Sequence, residues 1–108
     1  MAYDTTQADR IRNLVVGDHD ITEKQMFGGL AVLVAGHMSV TVSGRSGLMV
    51  RVDREDAPAL LLQAGVEQVV MQKRVMPGWL RVDGEQLADD EALRDWVDRS
   101  VDFARSLP

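Results

Sequence analysis

The 108-residue sequence contains no cysteine. That absence excludes disulfides, thiolate zinc sites and cysteine nucleophiles. Aromatic residues are scarce: two Trp, two Phe and one Tyr. A surface that binds single-stranded nucleic acid by stacking several bases has little to work with. No apolar run approaches the roughly 18 residues that span a bilayer. Met1-Ala2-Tyr3-Asp4 shows no basic stretch ahead of an apolar core, so no secretory leader is expected. These absences together read as a cytoplasmic protein.

A basic excess is missing too. The formal net charge is −5. Residues 1–82 carry nine acidic and nine basic side chains, while residues 83–108 carry eight acidic and three basic. The whole excess therefore sits in the last quarter. Affinity for nucleic acid comes largely from clustered Lys and Arg, so an acidic closing segment argues against direct nucleic-acid binding. A solvated, solubilising face explains it.

What is present is ordinary for one globular domain over residues 1–108: 45% hydrophobic and 27% charged residues. Ala8, Ile11, Leu14 and Val15 recur at helical spacing over 5–16, with Thr5 or Thr6 as the cap and Gly17 as the stop. Residues 24–52 read as strands. Leu30–Val34 is apolar and rich in β-branched residues, Met38–Val42 alternates, and Leu48–Val52 follows the turn Ser43-Gly44-Arg45-Ser46-Gly47. Their short links predict an antiparallel meander. A short helix with Ala57, Leu60, Leu61 and Ala64 as its stripe ends at Gly65. Residues 66–71 fit either an edge strand or an extended segment. Met76-Pro77-Gly78 reads as a turn and Trp79–Val82 as a strand. A final helix over about 89–106 shows Leu93, Trp96, Val97, Val101, Ala104 and Leu107 on its apolar face. Arg94–Asp98 and Asp95–Arg99 are spaced to pair along it. The fold class is α+β: an antiparallel sheet of four to five strands with three helices, in the order α-β-β-β-α-(β)-β-α.

The stretch Lys24-Gln25-Met26-Phe27-Gly28-Gly29-Leu30 resembles the basic-x-Met-Phe-Gly-Gly signature of the TfoX/Sxy family's N-terminal domain. Gly36-His37-Met38, Leu48–Asp53, Met76-Pro77-Gly78-Trp79-Leu80 and the closing Leu93, Trp96 and Val97 are similar to the later segments of that domain, in the same order. The resemblance covers roughly residues 4–106. Longer members carry a second, C-terminal domain, and this chain reads as a stand-alone version. What the resemblance implies is a regulatory role in competence and transcription.

No residue set stands out as catalytic. The serines lack a nucleophile-elbow context, and Ser43–Gly47 lacks the Lys-Ser/Thr ending of a phosphate loop. His19 lies between Asp18 and Asp20, but three adjacent residues point in different directions, and no metal site is expected. No cofactor-binding loop is present either. The methionines are dispersed and read as core or interface filling.

Eight residues are candidates for binding. Phe27, Gly28 and Gly29 suit a close backbone approach, either by a ligand or partner or by tight packing against the first helix. Lys24 and Arg51, placed at strand ends, and Lys73 and Arg74, in a connection, form a small anion site if they converge. If they do not, they are separate surface cations near Asp53, Glu55 or Glu67. Trp79, where exposed, is an aromatic anchor for a protein partner. Three functions follow in order of preference: a non-enzymatic protein-interaction domain, self-association included; a small-anion-binding domain or minor enzyme; and a direct DNA-binding regulator.

Overall fold

The structure is a computed structural model that describes residues 3–26, 29–43 and 47–108, with Met26 described by its backbone only. In chain order the elements are α1 (Thr5–Val15), β1 (Ile21–Met26), β2 (Gly29–Val34), β3 (His37–Val42) and β4 (Leu48–Arg51). They continue with α2 (Ala57–Leu60), β5 (Val66–Met71), β6 (Arg74–Val82), a 3-10 turn (Gly84–Leu87) and α3 (Asp90–Arg105). The sheet order is β1-β2-β3-β4-β6-β5, with every neighbouring pair antiparallel. The α+β class is as the sequence implies, but the sheet has six strands rather than four or five.

The additional strand is β1. Four of its six residues, Thr22, Glu23, Lys24 and Gln25, are polar and exposed. An outer strand with so little apolar content carries almost no alternation to read. Residues 66–71 resolve as an edge strand, β5.

Met76-Pro77-Gly78 is no turn, and lies inside β6. The hairpin turn is Gln72-Lys73, whose φ values of 51° and 65° place both residues in the left-handed region. That turn type normally announces itself by Gly or Asn, and neither is present. Pro77 is tolerated because the ladder is interrupted there. Val70 pairs with Val75 and Gln68 with Leu80, so Met76, Pro77, Gly78 and Trp79 stand against Val69 alone. The Gln68 side-chain amide donates into this bulge, to Met76 O at 2.7 Å and Trp79 O at 3.1 Å. Two main-chain acceptors that lost their partners are thereby satisfied.

A smaller irregularity lies between Val32 and Leu33, where Ser39 has no register partner on β2. The buried Ser39 Oγ donates to Val32 O at 2.9 Å. The helix caps differ from expectation in one place. Asp4, not Thr5 or Thr6, caps α1, its carboxylate accepting from Gln7 N. A carboxylate suits that position better than a hydroxyl, because the helix dipole favours negative charge there.

Alternate strand residues build the core. Val32, Val34, Val40, Val42, Leu48, Val50, Leu80, Val82 and Val66 form one cluster with Ile11 of α1, Ala57 and Leu60 of α2, and Leu93, Trp96, Val97, Val101 and Ala104 of α3. Each fully buried Val or Leu contributes roughly 1.5–3 kcal/mol relative to exposure. All three helices therefore cover one face of the sheet. The opposite face carries a row of register partners from edge to edge: Lys24, Ala31, Thr41, Met49, Arg81 and Glu67.

Two ion pairs fasten the helices to the start of β1. Arg12 of α1 clasps Glu23 through two bonds of 2.7 and 2.9 Å. Arg105, in the last turn of α3, clasps Asp20 in the same way. Hydrogen bonding to these guanidinium groups holds the Glu23 and Asp20 carboxyls below their ordinary range and raises both arginines. Neither expected pair along α3, Arg94–Asp98 nor Asp95–Arg99, is among the ion pairs of the described residues. Surface pairs give little in return for fixing two long side chains.

Candidate functional site

The six candidate residues that the structure describes, Lys24, Gly29, Arg51, Lys73, Arg74 and Trp79, do not share one site. Lys24, expected at a strand end, lies within β1, and Arg51 ends β4, three strands away in the sheet order. At about 4.8 Å per strand that separation is roughly 14 Å. Lys73 and Arg74 are exposed at the β5–β6 turn, beyond the Met76–Trp79 bulge. Four cations so placed make no common anion site. None of them pairs with Asp53, Glu55 or Glu67 among the described ion pairs either.

Phe27 and Gly28 lie outside the described residues, as do Gly44, Arg45 and Ser46 of the β3–β4 connection. Gly29 opens β2 and is buried. A Cβ there would collide with the main-chain oxygen of Val42. The close approach is real, but it is to β3 and not to the first helix. Gly78 holds φ of +80° beside the end of β4, and Val52 N donates to its carbonyl at 2.7 Å.

What the fold does bring together is Arg51 and Trp79. They are register partners on β4 and β6, which are adjacent in the sheet though distant in sequence. The Arg51 guanidinium carbon lies 6.0 Å from the Trp79 ring centroid and 5.9 Å from that of Phe103 on α3. Three elements thus converge on one cation, at distances where the ring quadrupole attracts it. All three side chains are half-buried. Phe103 was invisible to sequence reasoning. It falls beside the apolar stripe of α3, and no spacing relates a residue of the last helix to the end of the fourth strand.

Next to this cluster a groove of about 450 Å³ is lined by Asp53, Asp56, Arg99, Asp102 and Phe103. Its three carboxylates come from the β4–α2 connection and from α3. The groove therefore joins an aromatic wall to an acidic rim with one cation. No group of three or more His, Cys, Asp or Glu among the described residues is arranged to hold a metal ion. His19 is exposed, and His37 Nε2 lies 3.0 Å from Pro108 O. No described helix is long and apolar enough to cross a membrane.

With this geometry in place, the comparison with known families is specific. The family model described as the TfoX N-terminal domain matches residues 14–104. The chain belongs to the TfoX N-terminal domain family. No curated protein and no solved structure matches it. In this TfoX N-terminal domain the matched span runs from the end of α1 almost to the end of α3, and includes Arg51, Trp79, Phe103 and the Gln68-bridged bulge. Arg12 and Arg105, whose ion pairs fasten the helices, fall outside it.

Proposed function

We propose that this chain is a non-enzymatic protein-interaction domain acting in the cytoplasm, and that it docks its partner on the surface formed by Arg51, Trp79 and Phe103. The observation that carries the reading is the convergence of one guanidinium and two aromatic rings from β4, β6 and α3 at a half-buried surface. Trp, Tyr and Arg dominate the binding energy of protein interfaces, and such residues work best when held rigid before binding. Here a sheet register fixes two of the three, and a helix anchored in the core fixes the third.

The adjoining acidic groove selects the partner's chemistry. A segment that offers an apolar or aromatic anchor to Trp79 and Phe103, with a Lys or Arg beside it for Asp53, Asp56 or Asp102, is complementary in shape and sign. Regulation of competence or transcription, which the family resemblance implies, would then proceed through protein contacts. Direct DNA contact needs a basic element able to enter a groove, whereas α3 exposes Asp95, Asp98 and Asp102.

The test is affinity capture with the wild-type chain, Trp79→Ala and Arg51→Glu, each first checked for native melting. A protein partner retained by wild type and lost from both variants supports the docking surface. Equal capture by well-folded variants refutes it.

A further inference from the structure

The two edges of the sheet are built differently. The β1 edge exposes Thr22, Glu23, Lys24 and Gln25, and its Glu23 is held by Arg12. Charged edges of this kind resist pairing with another sheet. The β5 edge, Val66-Glu67-Gln68-Val69-Val70-Met71, holds a single charged residue. Val70 is 56% exposed and Met71 41% exposed. Val75, the partner of Val70 on β6, is 59% exposed, and Leu62, just ahead of β5, is 87% exposed. Three of the five large hydrophobic side chains exposed among the described residues, Val70, Met71 and Val75, thus lie on the β5–β6 hairpin, and a fourth, Leu62, precedes β5 in the chain.

The edge also directs main-chain groups outward in a regular array. Asp83 N donates to Gly65 O, so residue 65 faces β6, and by alternation 67 does too. From the other end, Met71 and Arg74 flank a two-residue turn and bond to each other. Both ends agree that Val66, Gln68 and Val70 direct their N–H and C=O groups away from β6, where Val66 N already donates to Gln63 O at 3.3 Å and the Val66 carbonyl and both groups of Gln68 and Val70 face outward. The large bulge leaves β5 itself regular, because the surplus residues belong to β6.

Charge says what lies against this edge. Residues 66–82 carry Glu67 against Lys73, Arg74 and Arg81, whereas residues 83–108 carry eight acidic side chains against three basic. Two copies of an acidic chain repel least when they meet along the β5–β6 hairpin. An antiparallel two-fold about Gln68 pairs Val66 with the partner's Val70. It brings the Lys73–Arg74 tip of each copy to the start of the other's β5, where Asp83 and Glu85 are exposed.

We propose that β5 is a self-pairing edge, and that two copies of this chain join β5 to β5 across a two-fold at Gln68 to form one continuous twelve-stranded sheet. This goes beyond the docking function proposed above and uses a different surface, so either can fail without the other.

Sedimentation equilibrium of the full chain over a wide concentration range tests it, with Val70→Pro and Val70→Lys alongside. Proline removes only the outward N–H of an edge strand, a position where it is tolerated, and lysine places a charge on the edge. Wild type should form a dimer, and both variants should weaken it about tenfold or more while keeping the wild-type far-UV spectrum. In wild type the Gln68 and Val70 amides should become protected from hydrogen exchange as concentration rises. A wild type that stays monomeric to its solubility limit overturns the proposal. So does a dimer that both variants leave unchanged, or one in which those two amides gain no protection. If neither variant folds, the amide measurement on wild type alone decides. A monomeric chain that still captures a partner through Trp79 would separate this failure from that of the docking surface.

Discussion

Gln68 and Met76 are joined by a side-chain to main-chain hydrogen bond of 2.7 Å across the largest irregularity in the sheet. The same amide nitrogen lies 3.1 Å from Trp79 O. One glutamine thus closes the bulge from which Trp79 is presented. Gln68→Glu would set a carboxylate against three carbonyl oxygens, those of Val69, Met76 and Trp79. A buried or half-buried acceptor left without its donor costs about 1–3 kcal/mol. Gln68→Glu should therefore lower the urea midpoint at pH 7 and recover part of it near pH 4, as the introduced carboxyl regains a proton. The sign follows from a folded-state pKa raised by the facing carbonyls. Equal loss at both pH values would show that the amide's donor role is not what matters.

Gly29→Ala should destabilise the chain by about 1–3 kcal/mol, the usual range for forcing extra volume into packed structure. The added carbon meets the Val42 carbonyl, which belongs to a central strand and cannot swing aside. Thermal melting checks it. A melt within error of wild type would mean that β2 and β3 can separate locally at no cost.

Asp20 and Glu23 have folded-state pKa values depressed by their arginine partners. A depressed carboxyl contributes stability that is complete above its unfolded value, about 4, and is lost as pH falls through the folded one. Both groups are well exposed, so solvent screens much of the effect. Melting temperature measured from pH 7 to pH 2 should fall at the acid end. Asp20→Asn/Glu23→Gln should make that fall shallower and slightly lower the pH 7 value. An unchanged acid limb would show that these pairs do not couple folding to pH.

Thr41 Oγ1 and Ser100 Oγ are buried with no hydrogen-bond partner among the described residues. Removing an unsatisfied hydroxyl relieves a desolvation penalty, and alanine is the better helix former. Thr41→Val and Ser100→Ala should each raise stability, by about 0.5–1 kcal/mol. A clear loss in either would reveal a partner that the hydroxyl needs.

How much of this was legible in the sequence depended on whether a signal was local. α1 and α3 were readable because their apolar residues repeat at 3.6, and β2, β3 and β4 because β-branched residues sit between turn residues. β1 escaped because an exposed outer strand needs almost no apolar residues. The β5–β6 turn escaped because Gln72 and Lys73 adopt left-handed φ without the usual Gly or Asn, while Pro77-Gly78 imitated a turn inside a bulge. The Arg51–Trp79 contact depends on β4 lying beside β6, a pairing that skips β5 in the chain. Nothing local encodes that skip. The same topology separates Lys24, Arg51 and Lys73–Arg74, which sequence alone left free to converge.

The Arg51–Trp79–Phe103 cluster should also be measurable without a partner. A double-mutant cycle with Arg51→Met and Trp79→Leu should return a coupling of about 0.5–1 kcal/mol. A coupling near zero would mean that the contact does not preorganise the surface.

The most direct test of the central claim is the comparative capture of a protein partner by wild type, Trp79→Ala and Arg51→Glu, with Val70→Pro as the control at the other surface. A partner should be bound by wild type and by Val70→Pro, and lost from the two cluster variants. The same partner bound equally by folded Trp79→Ala and Arg51→Glu would contradict it.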